Sequence, residues 1–200
     1  MKLIGSCKIT KYGVFINGVS QVHLSLSEEN WKKELYIKLK LDYSKFHKMD
    51  TLAKMAFLSV EMVKETSDTN KYGENEMVLL FANNSSSQTT DLNYINSYEI
   101  KGYPSPSLFV YTLPNILTGE LAIRNKWYGE NCFFIEEKFD VEFFLEQINF
   151  YFSKGAKSCL CGWVNSFDGK DECFVFLVEN NMNQNKTIKE QLRALYKQKT

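Results

Sequence analysis

The chain has 200 residues, 44% hydrophobic, 24% charged and 14% aromatic, with only 3 prolines and 10 glycines. That composition excludes a disordered chain, which would be poor in aromatics and carry a large net charge. At 23.3 kDa about 70% of the unfolded surface can be buried, enough for a core without disulfide or metal staples. The 24 basic residues balance the 24 acidic ones, which argues against a phosphate-tracking nucleic-acid binder. A neutral, aromatic-rich chain is also poorly protected against self-association, so a hidden surface or a partner is expected.

Along the first forty residues, Ile9, Val14 and Ile16, and then the run from Leu35 to Leu41, alternate polar with apolar, a strand pattern. Gly13 and Asn17-Gly18 punctuate it as turns. From Ser44 to Lys64 the period becomes helical, with Leu52, Ala53, Ala56, Val60 and Val63 on one side and Asp50 placed to cap. Met77–Ala82 is continuously apolar, as in a strand buried on both faces. A loop of small residues, Asn83–Ser87, follows it and leads into Thr89–Ile100. Phe109 to Lys126 reads as a helix broken at Leu113-Pro114-Asn115, because proline removes a helix hydrogen bond and clashes with the preceding turn.

Cys132–Ile135 reads as the next buried strand, and Asp140 as the cap of a helix from Val141 to Ser153. That helix is apolar nearly all round, which predicts burial between layers. Ser158–Val164 and Cys173–Val178 form a hairpin closed near Asp168-Gly169. Alternating strands and helices imply an α/β fold: a mixed sheet with helices on both faces, in one domain over residues 1–180. Residues 181–200 form a polar linker and a short basic helix, whose Lys186, Lys189, Arg193, Lys197 and Lys199 keep it soluble.

The chemistry on offer is sparse. The 5 cysteines, Cys7, Cys132, Cys159, Cys161 and Cys173, mostly lie inside apolar runs and read as buried reduced thiols of a cytoplasmic protein. The N-terminus lacks the sustained apolar core of a signal peptide, and the longest apolar stretches are strand-sized, so no membrane span is expected. His23 and His47 have no Cys or Ser partner in view and read as structural or surface residues. Cys159 and Cys161 share one strand face, with Cys173 the only nearby addition; zinc would need two further ligands. Glu136, Glu137 and Asp140 could pair for glycosidic chemistry, but acidic residues also favour a helix start for dipole reasons alone. Phosphate-loop, dinucleotide, nucleophile-elbow and zinc-protease motifs are all absent. Without glycines, Asn83–Ser87 is a weak ligand loop. No cofactor is implied. Phe109, Tyr111, Phe143 and Phe144 offer an alternative reading as the lining of an acyl-chain pocket.

One segment carries more. Ser105-Pro106, Phe109, Leu113-Pro114-Asn115, Gly119, Ala122-Ile123-Arg124, Gly129 and Asn131 together resemble the β-ketoacyl synthase family. There a stretch of this kind precedes the strand that delivers the catalytic cysteine. The resemblance covers roughly Met77 to Val178 and, more vaguely, Leu35 to Lys64. It implies a three-layer α/β/α thiolase-like half-domain with a mixed sheet. It also places the family nucleophile at the start of the helix after Gly-x-Asn, where the helix terminus would favour a thiolate. Counting from Asn131, Lys138 occupies that place, and Ile135–Asp140 holds no Cys, Ser or Thr. The family's second half and its two catalytic histidines have no counterpart, and His23 and His47 do not match them by position.

The resemblance therefore implies a catalytically inactive accessory or dimer subunit in fatty-acid or polyketide-type biosynthesis, such as aryl-polyene or flexirubin-like pigments. In the family the strand running into the nucleophile pairs across a dimer. Cys132, Phe133, Phe134 and Ile135 would be that interface, facing a second copy or a full-length ketosynthase, with an acyl carrier protein as a further partner. The competing reading is an acyl-transfer or hydrolytic enzyme that uses Cys132 or the Glu136/Glu137 carboxylates.

Overall fold

A computed structural model describes residues 1–10, 13–22, 30–181 and 187–198. Its centre is one seven-stranded mixed sheet. The strands are β1 (Lys2–Thr10), β2 (Gly13–Ile16), β3 (Val19–Val22), β4 (Met77–Asn83), β5 (Asn131–Ile135), β6 (Ser158–Phe167) and β7 (Lys170–Glu179). They lie in the order β3-β2-β1-β7-β6-β4-β5. β4 runs parallel to β5 and β6, and the other pairs are antiparallel. The two hairpins turn at Asn17-Gly18 and Asp168-Gly169, all four residues with positive φ, as tight primed turns require.

Helices cover both faces, giving the α/β/α sandwich. On one side α2 (Thr51–Thr66) packs against α1 (Trp31–Lys38), α5 (Ile116–Asn125) and the sheet. Asp50 caps α2 by accepting the Ala53 N–H at 2.9 Å, and both flanks of the helix are buried, from Leu52 to Val63. On the other side lie α6 (Val141–Ser153) and α7 (Ile188–Lys197). Pro106 starts α4 (Pro106–Val110), and the break around Pro114 separates it from α5. α3 (Gln88–Lys101) follows the small-residue loop. Among the described residues no helix is long and apolar enough to cross a membrane.

Three local expectations need correcting. The alternating run Leu35–Leu41 does not form a strand. Trp31 and Leu35 stand one helical turn apart and are both buried, while Ile37 is left 62% exposed and Lys40 turns the chain at positive φ. Seven alternating residues also satisfy an i, i+4 contact, and packing of α1 on α2 decides between them. Second, Cys132–Ile135 is not buried on both faces: it lies in β5, one of the sheet's two edge strands, and none of its residues is fully buried. Third, α6 is not enclosed between layers. Val141, Phe144 and Ile148 meet the sheet, whereas Phe150 is 53% exposed.

Two glycines permit close approach at β4. A Cβ on Gly162 would stand 2.3 Å from the Phe81 ring, and one on Gly129 would stand 2.3 Å from the Met77 carbonyl oxygen. Gly129 thus lets the chain run tight against the start of β4 before entering β5.

Candidate functional site at the free edge of the sheet

β5 pairs with β4 in register from Leu79/Asn131 to Asn83/Ile135. The ladder is closed at its ends by the Leu79 N–H donating to the Glu130 carbonyl at 2.9 Å and the Glu136 N–H donating to the Asn83 carbonyl at 2.8 Å. Backbone groups alternate sides along a strand, so the even-numbered residues 130 to 136 point their N–H and C=O at β4. Asn131, Phe133 and Ile135 therefore turn both groups toward the open edge.

The side chains alternate as well, one set over each face. Phe133 packs toward the α2/α5 core, where Thr118 also donates to the Asn131 side chain at 3.0 Å. Cys132 and Phe134 lie on the α6 face. The Cys132 thiol is 3.1 Å from the Tyr151 hydroxyl, and Phe134 meets Phe143 edge-on at 5.0 Å. The hydrogen bond with Cys132, followed by desolvation, pushes the Tyr151 hydroxyl up to about 12. Ile135 is 55% exposed.

Beyond β5 the chain turns into α6. The Asn84 side chain donates to the Glu137 carbonyl, and Phe139 inserts among Phe174, Phe176 and Tyr196. Asp140 caps α6 by accepting the Glu142 N–H at 2.9 Å. Lys138 stands exposed in this turn, two residues ahead of the cap.

The remaining sequence candidates are occupied or separated. Asn83 exchanges hydrogen bonds with Ser86, Ser85 donates to Asn165, and Ser87 donates to the Thr112 carbonyl with Asp91 close beside it. The small-residue loop is thus bound to its own surroundings. Asp140 is spent on its helix cap, and Glu136 and Glu137 make no ion pair among the described residues. Cys159 and Cys161 are buried on the α6 face, whereas Cys173 and Cys7 are buried on the α2 face, Cys173 beside Ser59 at 3.0 Å. The sheet stands between the two sets, and no metal-holding group of three or more His, Cys, Asp or Glu forms among the described residues. Burial pushes the Cys159 and Cys173 thiols up to about 12.

The sheet likewise separates Tyr111 from Phe143 and Phe144, and Phe109 is 59% exposed, so these four aromatics do not line one pocket. His47 is exposed on a 3-10 turn against Tyr36 and Phe46; His23, Lys186 and Lys199 lie outside the described residues. Lys189 and Arg193 both pair with Glu142, and Lys197 is exposed at the end of α7.

α3 is a feature the sequence did not reveal. It buries Thr90 and Ser97 and exposes Leu92, Ile95 and Tyr98, an apolar stripe turned outward. Only its spacing of three could have signalled a stripe, and nothing local says which way the stripe faces.

Three solved structures share this fold at low identity. The chain aligns with one from the ketosynthase–chain length factor complex of Xenorhabdus doucetiae at a TM-score of 0.62 and 10% identity, over 98% of this chain and 89% of that one. It aligns with the ishigamide ketosynthase/chain length factor at 0.64 and 12%, over 91% and 62%. It also aligns with a structure of a type II polyketide synthase acyl-carrier protein in complex with its ketosynthase bound to the hexaketide, at 0.63 and 14%, over 89% and 62%. It therefore spans less than two thirds of the length of the latter two. No protein-family model and no curated protein sequence matches the chain. The architecture is that of the thiolase-like, ketosynthase-type fold.

Proposed function

We propose that this chain is a non-catalytic ketosynthase-like subunit that pairs with a ketosynthase through β5 in a polyketide-type or fatty-acid pathway. The observation that carries the reading is the open edge of β5, with three residues offering main-chain N–H and C=O groups beside half-exposed apolar side chains. Such an edge is a ready template for strand addition. The exposed apolar stripe of α3 adds surface of the kind a partner covers. The three structural neighbours, two of them described as ketosynthases with chain length factors, support a paired role.

Non-catalysis rests on residue 138. A condensing enzyme needs a nucleophile whose acyl adduct can be transferred again, which a thioester allows. An amine such as that of Lys138 would form a stable amide and stop there. Cys132 does not substitute: it lies at the start of β5, away from the helix terminus that would favour a thiolate.

Sedimentation of the purified chain, alone and mixed with a full-length ketosynthase from the same genome, tests the proposal. A complex of the two is expected. A stable monomer that ignores every such ketosynthase overturns it.

A further inference from the structure

We infer that the charges bracketing β5 reject a second copy of this chain and select a partner strand flanked by basic residues; this rests on β5 being the pairing edge. Glu130 immediately precedes the strand, and Glu136 and Glu137 immediately follow it. Glu130 and Glu137 are exposed, Glu136 is half-buried, and none of the three forms an ion pair among the described residues.

A homodimer closed on a two-fold axis would pair β5 with its copy antiparallel. The register that uses all three open residues sets Phe133 opposite Phe133 of the copy and Asn131 opposite Ile135. It also sets Glu130 opposite Glu136, twice. Those positions are non-hydrogen-bonded pairs, with Cα atoms only about 4.5 Å apart, where like charges repel most. Sliding the strands two residues either way parts the carboxylates but leaves one of the three open residues without a rung. Neither Gly129 nor Glu137 replaces it, because the chain bends out of the strand path at Gly129 and again at Glu137 and Lys138, where the Glu137 carbonyl also accepts from the Asn84 side chain. A different strand with lysine or arginine at both ends keeps every rung and turns each repulsion into an attraction.

Two peptides test this on the intact chain. One copies residues 130–137 with Cys132→Ser; the other adds Glu130→Lys, Glu136→Lys and Glu137→Lys. The readout is protection of the Asn131, Phe133 and Ile135 amides from hydrogen exchange. The basic peptide is expected to protect them at about tenfold lower concentration in low salt, an advantage that shrinks toward unity by about 0.5 M salt. Equal protection, or better protection by the acidic copy, overturns the charge selection while leaving strand addition standing. If neither peptide protects the three amides, the open-edge reading fails, and the inference with it. In the full chain, Glu136→Lys should convert a monomer into a dimer that Ile135→Pro disperses. A native dimer that Glu136→Lys does not tighten overturns the inference.

Discussion

The Thr90 hydroxyl donates to Asp50 Oδ2 across 2.9 Å, while the other oxygen of the same carboxylate caps α2 through Ala53. One side chain thus joins α3 to the start of α2. Its burial, the largest influence, raises its pKa above the ordinary carboxylate value, although both hydrogen bonds and Lys54 pull it down. Between the unfolded value and the raised folded one, the folded chain keeps a proton that the unfolded chain has lost. Stability from this group therefore falls as pH rises through that window. Asp50→Asn should keep the oxygen that accepts from Ala53, reverse the Thr90 contact so that the amide N–H donates to the hydroxyl, remove that slope, and change stability near neutral pH by less than about 1 kcal/mol. Asp50→Ala should cost about 1–3 kcal/mol by losing the cap and stranding the Thr90 hydroxyl. Urea midpoints from pH 4 to 8 check both, and an unchanged slope in Asp50→Asn would contradict the assignment.

At the β4 contacts, Gly162→Ala should cost about 1–3 kcal/mol by overpacking Phe81, and Phe81→Leu in that background should recover part of the loss. Gly129→Ala meets a backbone oxygen, which cannot swing aside as a side chain can. Its effect should concentrate at β5, seen as faster exchange of the inward-facing Cys132 and Phe134 amides. Chemical denaturation and residue-resolved exchange measure the two effects, and a uniform acceleration across the sheet would argue against a local role for Gly129.

Of the five cysteines only Cys132 escapes full burial. In the native chain one thiol should react with a disulfide reagent, Cys132→Ser should abolish that reaction, and all five should react in guanidinium. Partner binding at β5 should slow the Cys132 reaction. Rapid alkylation of Cys132 at neutral pH would instead favour the reading as a cysteine-dependent acyl-transfer enzyme.

Legibility in the sequence followed locality. The Asp50 cap, the break at Pro114, the Asp168-Gly169 turn and the uninterrupted apolar strand Met77–Ala82 each declare themselves within a few residues, and each stands in the fold. Leu35–Leu41 misleads because its period also fits one buried helical turn. The apolar character of Cys132–Ile135 suggests a buried strand, yet whether a strand is central or outermost depends on sheet order, which no window of sequence contains. For the same reason, which β5 amides remain open follows only from the side on which β4 lies. The outward stripe of α3 stays hidden because a helix pattern shows a stripe and not what it faces.

The pairing of β5 with a ketosynthase is tested most directly by amide exchange at single-residue resolution, with and without that partner. The account predicts new protection at Asn131, Phe133 and Ile135, little change at Cys132 and Phe134, and loss of the complex in Ile135→Pro. A stable complex in which those three amides exchange as fast as in the free chain would contradict it.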